Sequence, residues 1–86
     1  NPFAGATYIH ARLNQAARVR IQILTVSGRR IRELWTDGRA GENYIPWDGK
    51  DSVEETVAIG VYLVKITAES PAGKRASAVA RALRTE

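Results

Sequence analysis

Arg18-Val19-Arg20-Ile21-Gln22-Ile23-Leu24-Thr25-Val26-Ser27-Gly28-Arg29 decides how the chain folds. Val19, Ile21 and Ile23 fall on one side of a two-residue period, with Arg18, Arg20 and Gln22 on the other. This alternation is that of a strand with one dry face and one wet face. Ser27-Gly28 ends it with a tight-turn signal, because glycine readily takes the positive φ such turns demand.

Reading toward the N-terminus, Ala6 to Leu13 repeats the pattern. Ile9, Ala11 and Leu13 share one face and Tyr8, His10 and Arg12 the other, with Asn14-Gln15-Ala16-Ala17 as the connection. Reading toward the C-terminus, Arg29 to Trp35 is a strand whose apolar Ile31 and Leu34 differ in parity, which predicts a bulge or an early end. Asp37-Gly38-Arg39-Ala40-Gly41 reads as a loop. Asn43, Ile45 and Trp47 then share a face opposite Tyr44 and Pro46, and Pro46, lacking an N–H, places this strand at a sheet edge. Asp48-Gly49-Lys50-Asp51 turns the chain, and Ser52 to Glu55 is a polar loop. After Val57 to Ile59, Gly60 to Ala68 is the strand richest in β-formers, with Tyr62, Val64 and Ile66 inward. Ser70-Pro71-Ala72-Gly73 is a turn. Lys74 to Arg84 closes the chain as a strand, although its alanines at 76, 78, 80 and 82 also suit a helix.

Six or seven short strands at about ten-residue spacing, joined by Gly/Pro/Asp turns, predict an all-β chain folded as a β-sandwich, with a closed barrel as the alternative. Eighty-six residues suffice for one domain. The absence of cysteine excludes a disulfide framework and a thiolate zinc site. No apolar run reaches the roughly 18 residues of a membrane span. The chain opens at Asn1-Pro2-Phe3 without methionine, and we read it as a piece of a larger protein. Net charge is +4, with ten arginines among thirteen basic residues. That bias suits phosphate or carboxylate contacts, but an arginine-rich solvated exterior is the favoured reading.

Four ordered segments carry a resemblance. Asn1-Pro2-Phe3 precedes a strand; Val19 to Arg29 is a strand–turn–strand unit with Gly28-Arg29 at the turn; Trp47-Asp48-Gly49-Lys50-Asp51 follows; and Gly60-Val61-Tyr62 opens a strand. Together they resemble the immunoglobulin-like domain of the flagellar hook-capping protein and the related C-terminal sorting domains of the type IX secretion system. The resemblance covers nearly the whole chain. It implies an immunoglobulin-like β-sandwich of about seven short antiparallel strands, forming one accessory domain over residues 1–86. It further implies an exported or cell-surface C-terminal domain of a larger protein, with the outer-membrane secretion machinery and the parent's upstream domains as partners. Arg81-Ala82-Leu83 is the nearest match to the basic-then-apolar ending of sorting domains, which makes these three the candidates for export recognition. The chain departs from the family at Thr25, where an acidic residue is common, and around Glu54, where a glycine is expected.

Signs of catalysis are missing. His10 is the only histidine and alternates onto an outer face beside Arg12. There is no nucleophile elbow, phosphate loop or metal-ligand spacing. Asp48 and Asp51 make too thin a set for calcium. We therefore expect a non-enzyme with no cofactor and no metal. Trp35 and Tyr44, with Tyr8, form a candidate platform for sugar rings, so a polysaccharide-binding or spacer module beside a secreted hydrolase is the alternative function. A flagellar hook-assembly subdomain is the third. Arg18, Arg20, Arg29, Arg30 and Arg32 crowd one hairpin, but no aromatics interleave with them as nucleic-acid binding requires, and no nucleic-acid partner is expected. Gly60, Trp47, Tyr62, Asp48 and Gly49 have structural readings: a close turn, two large plugs with polar handles, and a self-capped turn.

Overall fold

The computed structural model describes residues 2–85; Asn1 and Glu86, which belong to the opening motif and the chain end, lie outside the described residues. Seven strands follow in order: β1 (Pro2–Phe3), β2 (Thr7–Leu13), β3 (Ala17–Thr25), β4 (Arg30–Gly38), β5 (Gly41–Trp47), β6 (Gly60–Glu69) and β7 (Arg75–Arg84). They form a five-stranded sheet in the order β1-β7-β6-β3-β4 and a two-stranded sheet of β2 and β5. Six strands pair antiparallel. The two-residue β1 runs parallel to the end of β7, with Pro2 opposite Leu83, which corrects the expectation of seven antiparallel strands. The result is an immunoglobulin-like sandwich of unequal layers.

The alternation read in β3 is realised in full, for Val19, Ile21 and Ile23 are completely buried. Their row meets Ile9, Ala11, Ile45 and Trp47 from the small sheet. Trp47 and Tyr62 pack edge to face at 6.5 Å between centroids, an arrangement favoured by the ring quadrupoles. Trp47 Nε1 donates to the Lys50 carbonyl at 2.9 Å, and Tyr62 donates its hydroxyl to the Ala58 carbonyl at 2.6 Å. Each large ring is thus buried with its polar handle satisfied. Tyr62 and Val64 are inward as expected, whereas Ile66 is only partly buried.

Ile31 forms the expected bulge, since Ile23 opposes Arg32 and Leu24 opposes Arg30 with nothing opposite Ile31. The strand does not end early, however, and Asp37-Gly38 is not loop. Both continue the ladder, Asp37 opposite Arg18 and Gly38 opposite Ala17. Gly38 is used for its lack of a side chain: a Cβ there would lie 2.5 Å from Leu13 Cδ1 and 2.9 Å from Val19 Cγ2. Only Arg39 and Ala40 remain between β4 and β5, and the Asn43 side chain clasps this turn through the N–H and carbonyl of Arg39. The final segment is the strand β7, paired along its whole length with β6. β5 pairs with β2 alone, so Pro46 does sit on an edge strand.

Candidate functional site

The two sides of the sandwich, where strands of one sheet overhang those of the other, are built differently. On the β4–β5 side the loop after Trp47 folds over the gap. Arg32 Nη1 donates to Asp48 Oδ1 at 3.1 Å and to the carbonyls of Lys50 and Asp51 at 2.9 and 3.3 Å. The Ser52 N–H donates to the Ile31 carbonyl at 2.9 Å, a bond freed by the bulge. Val57, buried, anchors the far end of the loop in the core. The Asp48 carboxylate accepts from the Lys50 N–H and the Asp51 carboxylate from the N–H groups of Val53 and Glu55. Both aspartates therefore serve this turn. The Lys50 N–H bond, helped by Arg32, holds the Asp48 carboxyl below the usual range. Glu54 takes φ 64°, the left-handed conformation a glycine would enter freely, where the resemblance implies a glycine.

On the β2–β7 side no segment among the described residues crosses. Among the described residues β2 pairs only with β5, and β7 is covered on its outer edge only at Leu83 and Arg84, by β1. Two cavities of about 280 and 290 Å³ run along this seam. The first is lined by Thr7 to His10 of β2 and Ala80 to Ala82 of β7, with Trp47, Val64 and Ile66 beneath. The second lies between Arg12–Gln15 and Lys74–Ala76. Ala76, Ala78 and Ala80 point into the sandwich by parity yet are exposed, because the small sheet has no third strand to cover them.

The residues singled out in the sequence distribute as follows. Arg81, Ala82 and Leu83 are consecutive on β7: Ala82 is buried, whereas Arg81 and Leu83 project from the outer face beside Leu63 and Val61. Trp35 and Tyr44 are both exposed but occupy opposite outer faces of the sandwich, one on each sheet, so they form no common platform. Tyr8 and Tyr44 share the small sheet's outer face, where Tyr44 stacks on His10 at 4.9 Å. Trp35 is covered by the guanidinium groups of Arg18 and Arg20 at 5.1 and 5.6 Å. His10 and Arg12 both engage Glu42, whose carboxyl is lowered first by the His10 hydrogen bond and then by Arg12.

Four of the five arginines of the cluster hold carboxylates. Arg20 and Arg30 bond Glu33 at 2.6 and 3.1 Å, Arg18 lies 3.8 Å from Asp37, and Arg32 holds Asp48. Hydrogen bonds from Arg20 and Trp35 keep the Glu33 carboxyl low. What sequence reasoning missed is the open seam. Its one signal was the run of alanines at alternate positions of the last strand.

The model of the FlgD Ig-like domain matches residues 2–72. The chain belongs to the FlgD Ig-like domain family. No curated protein sequence matches it. Among solved structures, it is similar to FlgD from Xanthomonas campestris, described with hook capping in flagellar assembly, at 24% identity and a TM-score of 0.78 over 90% of this chain and 56% of that one. FlgD from P. aeruginosa aligns at 19% identity and 0.76, over 88% of this chain and 58% of that one. Dimeric latent PorU from Porphyromonas gingivalis aligns at 19% and 0.76, over 99% of this chain and 8% of that one. The chain thus spans little more than half the length of the FlgD chains it resembles. The family match stops at Ala72, so β7 and its open edge lie beyond it.

Proposed function

We propose that this member of the FlgD Ig-like family is a non-catalytic C-terminal sorting domain of a larger exported protein. In this reading the outer-membrane machinery of type IX secretion engages the domain, which then holds its parent at the cell surface. The observation that carries it is β7: a ten-residue strand whose outer edge, from Arg75 to Ala82, pairs with no other described strand, displaying Arg81 and Leu83. An edge strand offers backbone donors and acceptors to a receptor without any pocket. The likeness to PorU supports the reading because it extends over 99% of this chain. The test is a periplasm-directed reporter fused ahead of the domain in a host with type IX machinery. The reporter should reach the surface, and truncation after Ala80 should leave it in the periplasm with the sandwich still folded. A folded, full-length fusion that stays periplasmic in a competent host refutes the sorting role.

The family match itself favours a second reading, a hook-assembly subdomain of an exported flagellar protein. It predicts that the parent carries a hook-docking segment upstream and restores motility to a hook-cap deletion strain. Sorting predicts neither.

A further inference from the structure

We propose that the outer face of β6 and β7 is a contact site for an anionic phospholipid surface. Alternation turns Val61, Leu63, Lys65 and Thr67 of β6 outward, opposite Leu83, Arg81, Val79 and Ser77 of β7, with Leu24 of β3 next to Leu63. Val61, Val79 and Leu83 are exposed, and Leu63 and Leu24 are half-buried. These five aliphatic side chains adjoin one another across three strands. A sheet face turned to water is ordinarily polar. The other half of this same face is so apart from Trp35, for it carries Arg18, Arg20 and Gln22 of β3 opposite Asp37, Trp35 and Glu33 of β4. The aliphatic half therefore marks a surface meant for something less polar than water.

Charge selects the occupant, and the charges stand inside the aliphatic patch. Lys65 lies between Gln22 and Val79, and Arg81 lies opposite Leu63, so the two cations are diagonal neighbours across one ladder. The arginines elsewhere on the face are partnered: Arg18 by Asp37, Arg20 by Glu33 and Arg75 by Glu69. Lys65 and Arg81 have no carboxylate partner among the described residues, and as like charges within reach of each other they repel. An anion from outside completes the pair. Their methylene stems can lie along Val79 and Leu63 while the charged heads reach past them, so cationic heads and apolar side chains meet one surface together. β6 is paired with β3 on one side and β7 on the other, so this face presents side chains and no backbone edge for an added acidic strand. A phospholipid layer supplies phosphates and acyl chains together and needs no matching holes, and cations beside apolar side chains are what interfacial binding uses. The inference adds a contact to the surface-attachment reading without resting on it.

The probe is a vesicle of phosphatidylcholine and phosphatidylglycerol in equal parts, compared with a vesicle of phosphatidylcholine alone. In flotation the domain should bind the mixed vesicles and not the neutral ones, and added salt should weaken the binding. A cation near an anionic surface is worth about fivefold in affinity, so Lys65→Glu/Arg81→Glu should lose at least about twentyfold while keeping its melting curve. Arg29→Glu/Arg39→Glu changes the net charge equally but lies in the turns at the two ends of β4, away from the patch, and should lose no more than about threefold. The chain has no cysteine, so an environment-sensitive dye on Val79→Cys reads this face alone. Its emission should shift to the blue on mixed vesicles, whereas the same dye on Tyr44→Cys, on the opposite outer face, should not respond. The proposal is overturned if no vesicle binds, if neutral vesicles bind equally, if the two double variants lose equally, or if the Tyr44 dye alone responds. It also fails if vesicle binding is absent while Lys65→Glu/Arg81→Glu blocks reporter export, for then the face serves an acidic protein partner. Vesicles need no secretion host, so failure here and failure of the sorting reading are separable.

Discussion

The sealed β4–β5 seam and the open β2–β7 seam are made from strands of similar length, yet they spend their polar groups in opposite ways. At the sealed seam one guanidinium, Arg32, satisfies a carboxylate and two loop carbonyls. At the open seam, among the described residues, the outer edges of β2 and most of β7 are bonded to no strand, and the underlying row is alanine. The difference teaches that the first side contributes stability and the second is left available. Both follow from a small sheet of only two strands, too narrow to cover five.

The largest expected effect contrasts the two sides within the core. Ile21 is fully buried beneath the small sheet, whereas Ile66 lines the open cavity. Ile21→Ala should cost about 3–5 kcal/mol in urea unfolding and Ile66→Ala about 1–2, since a cavity already open to water leaves less to lose. Equal costs would break the comparison. Next, Arg32→Ala should cost about 1–2 kcal/mol, because it removes the hydrogen bonds to Asp48 and to the part-buried carbonyls of Lys50 and Asp51 that close the sealed seam. Arg81→Ala should stay within about 0.5 kcal/mol, as surface changes do.

The sealed loop holds a smaller reserve at Glu54. Glu54→Gly should raise stability by about 1 kcal/mol, since glycine has no Cβ penalty at that positive φ. The same substitution at an exposed residue of ordinary φ should lower it. The smallest effect is on pH dependence. The Asp48 carboxyl is held below the ordinary aspartate range, so its contribution is present above the unfolded pKa and is lost as pH falls through the lowered folded value. Asp48→Asn should flatten the acid side of the stability–pH curve. A curve unaltered by Asp48→Asn would remove the carboxylate from the account of the seal.

Much of this was legible in the residues, and the remainder has physical reasons. Alternation told the faces of β2, β3 and β6 because each has one dry side. The parity break between Ile31 and Leu34 announced the bulge. The extent of β4 was not legible, since Asp37-Gly38 carries turn chemistry and its place in the ladder depends on Leu13 and Val19 packing where a Cβ would stand. The narrowness of the small sheet was hidden too, because alternation tells which face is buried but not which strands pair. For the same reason Trp35 and Tyr44 read as companions, although register sends them to opposite sheets, and the five arginines crowding one hairpin gave no sign that Arg18 would meet Asp37, Arg20 and Arg30 share Glu33, and Arg32 meet Asp48.

One paired measurement tests the central claim, that the domain sorts its parent through the open side and is held together by the sealed one. Val53 lies exposed on the sealing loop and Ala78 exposed on the open row, so a glutamate at either should leave the fold intact. In the type IX host, reporter fused to the Val53→Glu domain should reach the surface as the parent does, and reporter fused to Ala78→Glu should remain in the periplasm. Equal export of the two, or retention of Val53→Glu alone, would contradict the account.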